Sequence, residues 1–190
     1  MQSAVQQIVT GGLVLRPWRV DDAAALNIAI TQSLDHLRPW MPWIAAEPLP
    51  IDERRALITR WERERQSGGD IVLGTFAGED IVGGCGLHRR IGPTALEMGY
   101  WVHASHVRKG YASTAATALT SLAFTLPGID VVEIHHDRAN VASEGVPRTL
   151  GFALVGEEAK EAQAPGESGV QRVWRMRRAD WSHGNDGATG

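Results

Sequence analysis

The chain has 190 residues, with 19 Lys plus Arg against 22 Asp plus Glu and a formal net charge of −3. Its 43% hydrophobic and 22% charged residues are ordinary for a folded chain and argue against wholesale disorder. The mildly acidic balance argues against a dedicated nucleic-acid or membrane-surface binder, and a single Cys, Cys85, rules out an intrachain disulfide framework and argues against a cysteine-based zinc site.

Met1 to Gly12 carries no basic segment followed by an apolar core, and no apolar run is long enough to span a bilayer. The expectation is a soluble cytoplasmic protein. Residues 1–11 read as a flexible leader, 12–181 as one domain and 182–190 as a flexible tail. The 21 glycines imply tight turns and close backbone approaches, and the 7 tryptophans imply large amphipathic surfaces in a core or a binding site.

In chain order, Leu13–Arg16 is a short strand ended by Pro17. Asp21 and Asp22 open a helix that runs to Ile30. His36 to Trp43 contains two prolines and is a stiff loop presenting Trp40 and Trp43. Asp52 starts a second helix to Gln66, with Leu57, Ile58 and Trp61 as its apolar stripe and its arginines and glutamates facing water. Ile71–Ala77 and Ile81–His88 flank the turn Gly78-Glu79-Asp80, and Leu96–His103 completes an antiparallel meander. The pattern then changes: Tyr111, Ala115, Ala118, Leu119 and Leu122 recur at helical spacing, predicting a helix over 111–125. Val131–His135 is a strand, Ala142–Leu150 a short helix closed by Gly151, and Phe152–Glu157 and Val170–Met176 are the last strands. The fold class is α/β (α+β), a mixed, mostly antiparallel sheet of about seven strands flanked by about four helices.

The loop from Ser105 to Ala112 leaves a strand and opens a helix. The first amides of a helix have no partner within it, and the helix dipole adds positive potential there. Arg108 and Lys109 add charge, Gly110 and Ala112 leave room, and Ser113 and Thr114 add hydroxyls. The segment is an anion site suited to a pyrophosphate; an ordinary basic loop before a helix is the competing reading. It is neither a Walker loop nor a Rossmann fingerprint.

The stretch Glu97-Met98-Gly99-Tyr100-Trp101-Val102-His103, followed by Arg108-Lys109-Gly110-Tyr111-Ala112, resembles motif A of the GNAT acyltransferases, more narrowly their ribosomal-protein N-acetyltransferase (RimJ/RimL-like) branch. Leu15-Arg16-Pro17, the stretch His36 to Trp43, and Asp137 to Phe152 with Asn140, Ser143 and Leu150-Gly151-Phe152 resemble three further places in that branch. The resemblance covers about 13–178 in order. One departure stands out: Val107 occupies a place where the family usually has Gln or Arg.

The resemblance implies a GNAT fold and transfer of an acetyl group from acetyl-CoA, or another short acyl-CoA, to a primary amine by direct attack, without a covalent enzyme intermediate. It implies that Arg108, Lys109, Gly110, Tyr111, Ala112 and Ser113 cradle the pyrophosphate. It further implies that the backbone of Trp101, Val102 and His103 holds pantetheine and the thioester carbonyl, and that Asn140 contacts the pantetheine arm. Ser143 is the candidate acid toward the thiolate, with helix capping as the competing role. Glu97 is the candidate base, because a carboxylate in an apolar stretch has a raised pKa; an exposed strand Glu is the alternative. Trp40 and Trp43 either wall the acceptor pocket or pack as a core lid.

His135 and His136 are adjacent on a strand and point to opposite faces, so no metal is expected. His88 ends a strand and is either a second base or a surface imidazole. Cys85 reads as a small core residue. The first expected acceptor is the N-terminal α-amine of a protein or peptide. A small amine such as an antibiotic or polyamine, a succinyl-CoA donor, and a non-catalytic acyl-CoA-binding sensor are the alternatives. The resemblance also allows a homodimer.

Overall fold

The structure is a computed structural model and describes residues 7–182. Residues 1–6 of the expected leader and 183–190 of the expected tail lie outside the described residues. Strands β1 (Ile8–Thr10), β2 (Leu13–Pro17), β3 (Ile71–Ala77), β4 (Asp80–His88), β5 (Ala95–Val102), β6 (Val131–Asp137), β7 (Ala153–Ala159) and β8 (Val170–Arg177) form one sheet. Their order is β1-β2-β3-β4-β5-β6-β8-β7. Only β5 and β6 run parallel. The helices are α1 (Ala23–Thr31), α2 (Leu34–Leu37), α3 (Ile51–Gln66), α4 (Tyr111–Thr125) and α5 (Val141–Thr149).

The sheet therefore has one strand more, and the helices one element more, than the sequence pattern suggests. The extra strand corrects the leader: Ile8 pairs with Leu15 and Thr10 with Leu13. Gly11 and Gly12, at φ +53° and +78°, make the tight turn that L side chains resist. A Cβ on Gly11 would lie 2.9 Å from Thr114 Cγ2, so the hairpin abuts the start of α4. The extra helix is the single turn of α2, inside the segment read as a stiff loop.

Strand alternation sends side chains to two separate cores. On one face α4 and α5 pack Ala115, Leu119, Ala123, Val146 and Leu150 over Leu15, Leu73, Cys85, Leu87, Met98 and Ile134. On the other, α1, α2 and α3 pack Leu26, Ile30, Leu37 and Ile58 with Trp18 and Phe76. Arg54 corrects the expectation that the arginines of α3 face water. It stands one turn before Ile58 on the inward face and is 2% exposed. Its Nε donates to Asn27 Oδ1 at 2.8 Å and its Nη2 to Glu47 Oε1 at 2.5 Å. Glu47 Oε2 and Asn27 Nδ2 in turn bind the backbone of Leu49. A buried charge persists because its partners are complete, and here they staple the loop before α3 to α1.

The sheet opens at its centre. β5 and β6 pair from Ala95 with Val131 to Met98 with Ile134, and no further. Beyond that point β5 stays bonded to β4 as far as Val102, and β6 to β8 as far as Asp137. Two strands each held on their outer side diverge, leaving their facing edges without strand partners.

Candidate active site

Backbone polar groups alternate sides along a strand, so the free edge can be assigned. His103 donates its N–H to Val82 O on β4 at 2.9 Å. By alternation Trp101 also aims its N–H and C=O at β4, and Tyr100 and Val102 aim theirs into the opening. This corrects two of the three backbone assignments: Val102 faces the opening, whereas Trp101 and His103 are committed to the sheet. The His103 side chain is likewise engaged, with Nδ1 accepting from Ser105 N and Nε2 meeting Gln32 Oε1, both at 3.1 Å. Burial, reinforced by the charge of His106, holds its pKa below the usual value.

β5 leads through a short turn, Ala104–His106, to the loop before α4. Val107 is extended, Arg108 has φ +59° and Gly110 has φ +78°. Arg108 is the one non-glycine with positive φ among the described residues. Such strain persists only where the surroundings enforce it, and it clusters at functional sites. Arg108, Lys109 and Gly110 are exposed, and nothing lies within 4 Å of where a Gly110 Cβ would stand. The amides of Tyr111, Ala112 and Ser113 form the first turn of α4 and lack intrahelical partners. The loop therefore offers open backbone donors beside two cations.

On the far side of the opening, Asn140 caps α5 by accepting from Ser143 N at 3.2 Å. The Ser143 carbonyl accepts the Tyr100 hydroxyl at 3.2 Å. The Ser143 hydroxyl has no protein partner among the described residues, and both Ser143 and Asn140 line the cavity that enters the opening. Capping is thus carried by the Ser143 amide, which leaves its hydroxyl available.

That cavity has a volume of about 950 Å³ and continues onto the α1–α3 face. Its floor includes Gly84, Gly86 and Gly99, and its walls include Trp40, Trp43, Trp61 and Trp101. The Trp101 indole lies over Gly84, where a Cβ would meet Nε1 at 2.5 Å. Trp43 is 39% exposed and meets Trp101 edge-on at 6.3 Å. Trp40 and Trp43 therefore line the cavity and are absent from the buried clusters. The β7–β8 connection reaches over to the same loop: Gly166 N donates to Pro39 O at 2.9 Å, and a Cβ on Gly166 would lie 2.7 Å from that oxygen.

Glu97 does not sit among apolar walls. Arg90 donates to both of its oxygens, at 2.7 and 2.9 Å, and His135 Nδ1 lies 3.6 Å away. Burial alone would raise its pKa, but the Arg90 hydrogen bonds and the charges of His135, Arg90 and His88 outweigh burial and hold the carboxyl below its usual value. The expected raised pKa is corrected: strand neighbours looked apolar in sequence, while the charged partners come from other elements.

His88, read in the sequence as either a second base or a surface imidazole, lines the cavity and is paired through Nδ1 with Asp70 Oδ2 at 2.8 Å. Asp70 carried no sequence signal beyond its place after a glycine turn. His135 and His136 do face opposite ways: His135 bonds Glu133 and Gln171, whereas His136 accepts from Trp174 Nε1 at 2.9 Å. No group of three or more His, Cys, Asp or Glu among the described residues is placed to hold a metal ion. Cys85 is buried, and burial pushes its thiol up to about 12, which keeps it protonated and inert.

Residues 12–153 match the family model described as the Acetyltransferase (GNAT) domain. The chain is 27% identical over 148 residues to the "Putative ribosomal N-acetyltransferase YdaF" of Bacillus subtilis (strain 168), a match that spans 76% of this chain and 80% of that one. Its fold is similar to that of RimL, a ribosomal L7/L12 alpha-N-protein acetyltransferase solved with coenzyme A. The TM-score is 0.81 at 21% identity, over 90% of this chain and 96% of that one. It is also similar to Mycobacterium smegmatis RimJ solved with CoA-disulfide, with a TM-score of 0.80 at 20% identity, over 91% of this chain and 86% of that one.

Proposed function

The chain belongs to the GNAT acetyltransferase family, and from that premise we propose that it moves an acetyl group from acetyl-CoA to a primary amine, first the N-terminal α-amine of a protein or peptide. The observation that carries this is the parting of β5 from β6 beyond Met98 and Ile134, beside the donor-rich start of α4. A pantetheine arm is an extended chain with amide groups, and a strand edge with free N–H and C=O at Tyr100 and Val102 matches it. A pyrophosphate matches the open amides from Gly110 to Ser113, with Arg108 and Lys109 supplying charge. Because that grip is mainly backbone, Val107 weakens it without abolishing it. Asn140 and Ser143 border the same opening, with Ser143 as the proton donor to the departing thiolate. The acyltransferase unit spans 12–181.

The acceptor approaches from the α1–α3 face, where Trp40 and Trp43 wall the cavity. Resemblance to ribosomal-protein acetyltransferases supports a polypeptide acceptor. No helix among the described residues is long and apolar enough to cross a membrane. The direct test is a thermal-shift titration with CoA, acetyl-CoA and succinyl-CoA, with ATP and NAD as controls. A ligand at one hundred times its Kd adds about 2.7 kcal/mol of stability. Stabilisation by CoA species alone supports the reading, and their ranking identifies the donor. A folded protein that responds to none of them overturns it.

A further inference from the structure

We infer that His88, aligned by Asp70, is the group that takes the acceptor's proton in this enzyme, and that Glu97 is not. This rests on the acetyltransferase reading above. Asp70 stands in the turn between α3 and β3, and His88 ends β4; the β3–β4 hairpin brings them to 2.8 Å. The Asp70 carboxylate also accepts the Arg89 amide at 2.8 Å. Burial alone would raise its pKa, but these hydrogen bonds and the charges of His88 and Arg90 hold it below its usual value. An ionised carboxylate only accepts, so His88 Nδ1 carries the hydrogen and Nε2 presents a lone pair. That nitrogen lies over bare backbone: a Cβ on Gly86 would meet it at 3.1 Å, and one on Gly99 at 3.6 Å. Gly99 is the first residue of β5 past its last pairing with β6. The lone pair therefore faces the cavity next to the opened edge, on the face opposite α5 and Ser143.

Most of the competing bases around this cavity are committed elsewhere; Glu161, in the β7–β8 connection, also lines it. Both oxygens of Glu97 on β5 are held by Arg90. His135 on β6 is engaged at both nitrogens, with Glu133 at 2.7 Å and Gln171 at 2.7 Å. Asp137 caps Ala139 and Gly169, Glu167 caps Gln163 and Ala164, and Glu47 is bound to Arg54. Asp70 before β3 pairs with His88, and the charged or titratable groups that share its cavity include Glu97 on β5, Arg90 in the β4–β5 connection, His135 on β6, Arg60 on α3, and Lys160 and Glu161 after β7. The balance of protons is complete. The acceptor enters as an ammonium and gives one proton to His88 Nε2. The free amine attacks the thioester carbonyl, so that the C–N bond forms and the C–S bond breaks. The Ser143 hydroxyl gives its proton to the thiolate and takes the second N–H proton in its place, and His88 returns its own to solvent.

The test uses the full chain with acetyl-CoA and an acceptor panel of free-N-terminal Ser and Ala peptides and spermidine, together with NMR of the His88 ring nitrogens. The expected result is a kcat/KM profile with a limb that falls on the acid side. His88→Gln removes that limb and lowers the rate at neutral pH at least tenfold, with acetyl-CoA affinity unchanged. Asp70→Asn moves the limb to lower pH, as loss of a neighbouring carboxylate lowers an imidazole pKa. NMR shows the Nδ1–H form of His88 in the wild type. An unchanged profile in His88→Gln, or an Nε2–H form in the wild type, overturns the inference. If acetyl-CoA binds but no acceptor in the panel turns over, the acceptor reading has failed, and the ring tautomer with its response to Asp70→Asn still decides the dyad. If acetyl-CoA does not bind, the acetyltransferase reading and the inference fall together.

Discussion

Glu97 accepts a hydrogen bond on each carboxylate oxygen from the one guanidinium of Arg90, at 2.7 and 2.9 Å. A fork of this kind fixes the carboxylate in its ionised form and leaves it a poor proton acceptor near neutrality. The carboxylate that the apolar stretch of β5 suggested as a base thus ties β5 to the β4–β5 connection through Arg90 and lies beside His135.

The pH dependence of stability follows with its sign. Glu97 has a folded pKa below its ordinary value. Its contribution is present above the unfolded pKa of about 4.3 and is lost as pH falls through the folded one. Denaturation midpoints measured down this range should fall less steeply for Glu97→Gln than for the wild type, while in the neutral range Glu97→Gln removes no titration from the rate profile.

Gly110→Glu places bulk and negative charge at the start of α4, where φ is +78°. CoA affinity should fall at least about a hundredfold, roughly 2.7 kcal/mol. Gly110→Ala introduces only the backbone cost of a left-handed L-residue, about 1 kcal/mol, and should weaken CoA far less. Calorimetric titration of both variants checks the cradle; equal affinities in Gly110→Glu and wild type would remove it from the site.

Asn140 and Ser143 separate capping from chemistry. Asn140→Ala removes the side-chain cap of α5 and should cost about 1 kcal/mol of stability. Ser143→Ala leaves that cap in place, because the donor is its amide. It should lower kcat about a hundredfold, the lower range for a positioned proton donor. Paired denaturation and steady-state measurements distinguish the two, and an unchanged kcat in Ser143→Ala would assign the thiolate's proton to another source.

Arg54→Met strands the Glu47 carboxylate, whose side chain is 3% exposed. Breaking a buried pair in this way costs about 3–5 kcal/mol. Removing both charges together, Arg54→Met with Glu47→Leu, should recover most of that loss. Urea denaturation of the single and double variants tests it, and additive losses would show that the two side chains do not act as a pair.

Much of the fold was legible because it is written in local patterns. The helix over 111–125 matches α4 residue for residue, since its apolar spacing and the glycine before it are both local. The meander of β3, β4 and β5 followed from alternation and turn residues. Ile8–Thr10 escaped notice because three residues carry too little periodicity to read, and pairing with β2 is what orders them.

The loop and the glycine that open α4 could be named from the chain alone, because they depend on neighbours within a few residues. The roles of ionisable side chains could not. Arg54 needed Asn27 and Glu47, Glu97 needed Arg90 and His135, and His88 needed Asp70. A carboxylate or imidazole takes its charge from whatever lies within a few ångströms in space, and chain order does not record that distance.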